Sequence, residues 1–134
     1  MVLDMNAIPA DLFGLPAHDV TAGAIHHDRW CSPYLCVRFP GLHGRVRIEL
    51  EYWNPTMIDV PANAVALRVN HRAIDVRLDL QPEDIVTVRQ EVDVEGELLL
   101  SLRSAGRCPP STDDLRTIAL VIRHLAVEPV SMDG

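Results

Sequence analysis

The stretch RVRIELEYW at residues 45–53 alternates between apolar and charged side chains. In an extended chain, one side carries the apolar residues Val46, Ile48, Leu50 and Tyr52. The opposite side carries Arg45, Arg47, Glu49, Glu51 and Trp53. A period of two is typical of a β-strand with one face in a core, and the alternating charges suit ion pairs with neighbouring strands. The stretch therefore predicts a half-buried strand within a sheet.

Further runs with the same patterning lie on both sides of this stretch, at residues 34–39, 64–70, 72–80, 85–92 and 98–102. Turn-forming pairs such as Pro40-Gly41, Asn54-Pro55 and Glu95-Gly96 separate them. Several short strands with turn signals between them are typical of antiparallel sandwiches and barrels. We predict an all-β fold, an antiparallel β-sandwich of the jelly-roll-like type.

The segment 117–127 fits two patterns. Its apolar residues form a helical stripe behind a candidate cap at 112–114, yet they also alternate as in a strand. β-Branched side chains favour the strand, namely Thr117, Ile118, Val121, Ile122 and Val127. We therefore prefer a strand and keep the helix as the alternative.

The start of the chain differs from the rest. Residues 1–21 contain Pro9, Gly14 and Pro16, and their apolar residues follow no sustained period. We predict an N-terminal arm over 1–21 that packs on the domain or on a partner. No Gly/Ser linker or internal repeat divides the remainder, so we predict a single β-sandwich domain over 22–134.

The composition excludes some partners. All 12 basic residues are arginine, against 19 acidic residues, which gives a net charge of −7 and disfavours nucleic acid. No run is long and apolar enough for a transmembrane helix. The first 20 residues carry acidic and no basic side chains, unlike a secretory signal, so we expect a cytoplasmic protein. The three cysteines are expected to be reduced thiols.

The sequence has no recognisable catalytic or metal-binding motif. His26 and His27 lie near Cys31, but the spacing fits neither a Cys-x-x-Cys nor a His-x-x-x-His site. No Gly-x-Ser-x-Gly elbow or phosphate-binding glycine loop occurs. We expect a protein that is not an enzyme and has no cofactor or metal, although calcium at the acidic turns 83–84 or 113–114 stays open.

Aromatic rings and arginines provide the best candidate ligand site. Sugars stack on amphipathic rings while forked donors hold their hydroxyls. The candidate ligand-binding residues are Trp53, Tyr52, Trp30, Arg45 and Arg47. Trp53 is the strongest candidate because the alternation places it on the polar side of its strand. The alternative is that Trp30 fills the core while Trp53 covers an edge or an interface.

The order of features over residues 23–128 resembles a known type of domain. The matching features are Gly23, Asp28-Arg29-Trp30 before the strand at 34–39, Leu67-Arg68-Val69-Asn70, the segment 103–110, the Asp/Arg-rich turn at 112–116, and the strand at 118–127. They are similar to an accessory β-sandwich domain found beside bacterial surface-polysaccharide glycosyltransferases and methyltransferases. Two positions depart from that pattern: His71 replaces a turn glycine, and Ile118-Ala119 replaces Leu-Gly.

The resemblance implies a non-catalytic accessory module of bacterial glycan or surface-polysaccharide metabolism. Such a module would bind carbohydrate or dock a glycan-modifying enzyme, with a glycosyltransferase or another protein as partner. The alternative is a self-assembling structural or protein-interaction module, a homo-oligomer that uses the N-terminal arm and sheet edges. His71 at a turn that favours glycine predicts a different turn type or local strain there.

Overall fold

The computed structural model describes residues 15–26, 28–111 and 116–130, and these residues form seven β-strands and no helix. The strands are β1 (Asp19–Ala22), β2 (Trp30–Cys31), β3 (Tyr34–Trp53), β4 (Asn63–Val69), β5 (Arg72–Leu80), β6 (Ile85–Ser104) and β7 (Leu120–Pro129). All pairings are antiparallel, in the order β2-β7-β3-β6-β4-β5, with β1 on β3. The predicted all-β antiparallel sandwich is confirmed.

Two of the predicted pairs of short strands are single long strands. Residues 34–39 and 45–53 belong to β3, and residues 85–92 and 98–102 belong to β6. Their ladder continues through the bend with one register shift, between Pro40 and Leu42. Gly41, Gly44 and Gly96 have φ values of 75°, 84° and 96°, which glycine adopts without strain. The glycines therefore bend the ladder where the sequence predicted turns that end it.

The bend produces two layers. The first layer, named the front layer, contains β2, β7, residues 46–53 of β3 and residues 85–94 of β6. The second, named the back layer, contains β1, β4, β5 and the other halves of β3 and β6. One core lies between them, built from aliphatic residues with Phe39 and Tyr52 as its largest side chains.

The segment 117–127 contributes most of β7, so the preferred strand assignment agrees with the structure and the helical alternative does not. Val46 to Trp53 pair with β7, which buries Leu120, Ile122, Leu125 and Val127 against the core. The candidate cap at 112–114 lies outside the described residues. Burial of the alternating side chains explains why the period of two prevails over the helical stripe.

The described part of the predicted arm includes β1, which pairs with Arg38, Val37 and Cys36 of β3. Residues 1–14 lie outside the described residues, so the arm over 1–21 and the domain over 22–134 stay predictions. Asn70 and His71 have φ values of 49° and 70°, the left-handed pattern of a type I′ hairpin turn. Of the two predicted outcomes at His71, the structure therefore shows local strain, because a non-glycine residue occupies a left-handed position. Among the described residues, no helix is long and apolar enough to span a membrane.

Candidate functional site

A shallow groove of about 390 Å³ lies on the outer surface of the front layer. Five residues from four segments line it: Arg29, Trp53, Ile85, Val121 and Arg123. The sheet register fixes this grouping, because Trp53 stands opposite Ile85 on one side and opposite Val121 on the other. We call these five residues the Trp53 groove.

The two tryptophans of the chain lie next to each other at this end of the sheet. Trp30 pairs with Val121, and its ring meets the ring of Trp53 edge-on, with centroids 6.2 Å apart and an interplanar angle of 64°. Both rings are half-buried. Trp30 also lines a second groove of about 390 Å³ together with Met57 and Arg116. The pair therefore forms one rigid aromatic surface with a groove on each side.

Arginine and carboxylate groups surround the ring of Trp53. An Nη of Arg29 donates to the backbone oxygen of Arg123 at 3.3 Å, and Nε of Arg123 lies 3.5 Å from a carboxylate oxygen of Glu51. Thr87 donates its hydroxyl to Glu51 at 3.0 Å. A polyhydroxylated ligand on the indole face would find forked donors in the groove, and the carboxylate of Glu51 lies beside it on Arg123.

A buried amide network positions the groove. Asn54 directly follows Trp53 and is completely buried. Its side-chain N–H donates to the backbone oxygen of Gln81 at 2.9 Å. Its backbone N–H donates to Asp84, the residue before Ile85, at 2.9 Å. The end of β3 and the start of β6 are therefore fixed to each other, and with them two side chains of the groove.

Tyr52 does not belong to the groove. Its side chain is 1% exposed and lies in the core, as its place among Val46, Ile48 and Leu50 implies. Desolvation and the nearby Asp75 carboxylate raise the pKa of its phenol. The hydroxyl forms no hydrogen bond with the described residues. Its ring faces the interior, so it cannot stack on a ligand in this structure.

Arg45 and Arg47 lie on the same outer surface but further along β3. Arg45 contacts Glu91 at 3.0 Å and Asp93 at 3.4 Å, while Arg47 contacts Glu128 at 3.0 Å. These hydrogen bonds raise the pKa of both guanidinium groups. The structure thus brings Trp30 and Trp53 together and places both arginines in exposed cross-strand ion pairs outside the groove.

The four groove residues that surround Trp53 were not identified from the sequence, because the alternation within one strand does not show which strands pair with it. In the sequence, Arg29 was singled out only as part of Asp28-Arg29-Trp30, and no pattern grouped Ile85, Val121 and Arg123 with Trp53. Their common feature is an outward position beside Trp53. An assumed β3–β7 and β3–β6 register would have identified them.

The three cysteines are buried, and none of them forms a disulfide with another. Burial raises the pKa of the Cys31 thiol to about 12, which disfavours the thiolate needed for nucleophilic attack. Among the described residues, no three His, Cys, Asp or Glu side chains are grouped as metal ligands. Asp84 accepts the Gln81 N–H within its own turn at 2.8 Å, and residues 113–114 lie outside the described residues.

We expect all three thiols to resist modification in the folded protein. A chromogenic disulfide reagent at mildly alkaline pH should label well under one thiol per chain under native conditions, because burial blocks access to all three sulfur atoms. For Cys31, burial also suppresses the thiolate. The same reagent should label all three thiols in denaturant. Rapid native labelling of Cys31 would contradict the described burial.

The fold has a counterpart among solved structures. The chain is similar to the EclA C-terminal domain, described as a sugar-binding protein, with a TM-score of 0.51 and 18% identity over 70% of this chain and 65% of that chain. The chain therefore spans slightly less than two thirds of that relative's length. At this level of identity, the likeness shows a common fold and nothing more.

Two further structures are more distant. A family 35 carbohydrate binding module from an environmental isolate has 12% identity and a TM-score of 0.42, covering 94% of this chain and 88% of that one. The Xyl-CBM35 module, in complex with a glucuronic acid containing disaccharide, has 15% identity and a TM-score of 0.38, covering 95% and 85%. No protein-family model matches the sequence, and no curated protein matches it in sequence.

Proposed function

We propose that this chain is a carbohydrate-binding module that holds a glycan in the Trp53 groove. The observation that carries the proposal is the half-buried Trp53 ring, supported edge-on by Trp30 and flanked by Arg29 and Arg123. Sugar rings present apolar C–H faces and polar rims, and this combination of an indole with forked donors suits both. The sugar-binding description of the EclA domain is consistent with this proposal.

The finer role that we propose is a non-catalytic accessory module of bacterial glycan or surface-polysaccharide metabolism, one that presents glycan to an enzyme such as a glycosyltransferase. The observation that supports it is the solvent-facing groove on the front layer, which offers a planar ring for stacking and two flanking arginines as hydrogen-bond donors. We also propose a cytoplasmic location, which is supported by three cysteines that form no disulfide with one another.

Truncation of the central ring tests the proposal. Trp53→Ala should weaken the affinity for any bound glycan at least about tenfold, because the stacking platform is lost. The measurement is a titration of intrinsic tryptophan fluorescence against oligosaccharides chosen from a glycan array. Trp53→Phe retains a planar ring and should keep a measurable part of the affinity.

Tyr34→Ala is the matched control for this test. Tyr34 is an aromatic residue with 40% exposure in the back layer, where Arg103 lies over its ring at 4.8 Å. Its loss should leave glycan affinity unchanged. Equal weakening by Trp53→Ala and Tyr34→Ala, or no binding across a broad array, would remove the Trp53 groove as a glycan site.

A further inference from the structure

Over about half of its length, one side of β6 has no partner strand among the described residues. β3 pairs with the whole of β6, whereas β4 pairs with the other side only at residues 100–104. Next to these residues, the side-chain amide of Asn70 occupies the same side of β6. It donates to the backbone oxygen of Glu97 at 3.2 Å and accepts from the Leu99 N–H at 2.7 Å. Within the described part of the chain, no strand pairs with this side over residues 85–95. An unpaired row of backbone donors and acceptors is a template for another strand.

This free edge is regular. Its register with β3 runs from Ile85 opposite Trp53 to Val94 opposite Gly44 without a shift. The outer strand of the back layer, β5, differs, because its pairing with β4 shifts twice. Asp75 and Arg77 of β5 also stand opposite buried residues and so face inward. Register shifts and inward charges both hinder pairing at a sheet edge. Of the two edges compared, β5 has both features and residues 85–94 of β6 have neither.

The sequence of the free edge is complementary to itself. In an antiparallel pair of two copies centred on Gln90, Val88 faces Val92 and Val86 faces Val94 on the inner side. On the outer side, Arg89 faces Glu91 of the second copy, and by symmetry this ion pair forms twice. A two-fold axis through Gln90 thus matches apolar residues with apolar ones and opposite charges with each other.

Neighbouring registers are worse. A centre at Arg89 puts two arginines opposite each other, and a centre at Glu91 does the same with two glutamates. A register whose two-fold axis falls between two residues places inward side chains of one copy opposite outward side chains of the other. The Gln90-centred register is therefore specified by both charge and hydrophobic pattern.

Arg89 differs from the neighbouring arginines on the outer surface of the front layer. Among the described residues it forms no ion pair, although every other arginine on the exposed front of β3 and β7 does so. Glu91 is held by Arg45 at 3.0 Å through one of its carboxylate oxygens. A cleft of about 540 Å³ lies beside residues 90–93, between this edge and the start of β5. It leaves room alongside the edge.

We propose that a second copy of this chain pairs with the free edge of β6, centred on Gln90, to form a symmetric dimer. The two front layers then join into one continuous sheet. Because the two-fold axis is normal to that sheet, both Trp53 grooves open on the same side, roughly 35 Å apart by strand geometry. The dimer does not depend on carbohydrate binding, but it would allow one long glycan to occupy two grooves with a gain in avidity.

A charge swap tests the dimer. Sedimentation equilibrium of the full chain, from micromolar to near-millimolar concentrations, should show a monomer–dimer equilibrium. Arg89→Glu should raise the dimer Kd by about tenfold or more, since two attractive pairs become repulsive. The double variant Arg89→Glu/Glu91→Arg should restore dimerisation, because it exchanges the signs of both partners. Arg68→Glu, an exposed charge reversal on the back layer, is the control and should leave the Kd unchanged.

Hydrogen exchange of the wild-type protein gives a second readout. Alternate amides over residues 85–95 should become protected as the protein concentration rises. A wild-type chain that stays monomeric, a dimer that Arg89→Glu leaves intact, or a double variant that fails to dimerise would overturn the proposal. Arg89→Glu should keep the wild-type affinity for a monovalent sugar, so failure of the dimer and failure of the glycan site are distinguishable.

Discussion

Replacing Asn63 with alanine is expected to lower the free energy of unfolding by about 3–4 kcal/mol, because three buried hydrogen bonds disappear together. The Asn63 amide is completely buried and donates to Asn54 Oδ1 at 2.9 Å and to Ser104 Oγ at 2.8 Å. Its oxygen accepts the Gly106 N–H at 2.8 Å. The variant leaves the Gly106 N–H without its acceptor and Asn54 Oδ1 without its donor, while Ser104 keeps its bond to the Gly106 oxygen at 2.7 Å. It also opens a small cavity.

Urea denaturation followed by circular dichroism measures this loss. Gln81→Ala is the control, because that side chain is exposed and bonds only within its own turn, so its cost should stay within about 0.5 kcal/mol. The Asn63 variant should also bind glycan more weakly, since Asn54 holds the end of β3 beside the Trp53 groove. A cost below about 1 kcal/mol would mean that the network contributes little to the fold.

Gly23→Ala is expected to cost about 3 kcal/mol or more, well above the cost of a left-handed alanine alone. Gly23 has a φ of 71°, and a Cβ there would lie well inside contact distance of the Tyr34 carbonyl oxygen. A backbone atom in a sheet cannot move aside without disturbing the start of β3. Thermal unfolding should therefore show a large drop in Tm.

Gly41→Ala separates the two contributions. Gly41 has a φ of 75°, but a Cβ there meets no atom within 4 Å. Its substitution should cost only about 1–2 kcal/mol, the penalty of the left-handed backbone for an alanine. Equal Tm values for the two variants would show that the chain around Tyr34 adjusts freely, against the close packing described here.

Much of the fold follows from the sequence because burial imposes a period of two. The alternation at 45–53 identified the inner and outer faces of β3, and it separated the outward-facing, half-buried Trp53 from the buried Tyr52. The continuity of β3 and β6 could not be deduced, because Pro40-Gly41 and Glu95-Gly96 are equally good signals for a turn. The continuity appears only in the register, where Pro40 pairs with Glu97 and Leu42 pairs with Gly96.

The site was predictable only in part for the same reason. Trp30 and Trp53 were identified from residue type, but their contact depends on Val121 of β7 standing between them in the register. Arg45 and Arg47 have the side chains expected of a sugar site, yet their neighbours on β6 and β7 are carboxylates that bind them in ion pairs. Tertiary pairing decides which arginine remains near the rings, and a single sequence does not contain that pairing.

Carbohydrate binding in the Trp53 groove, as proposed above, should be visible in the two indole N–H signals of the chain. With two tryptophans in the sequence, a ¹H–¹⁵N spectrum contains two indole resonances, which Trp53→Phe and Trp30→Phe assign. Titration with the oligosaccharides that bind on an array should shift the Trp53 resonance most, the Trp30 resonance less, and the Arg68 backbone amide of the back layer not at all. Binding that leaves both indole signals unmoved would contradict the account.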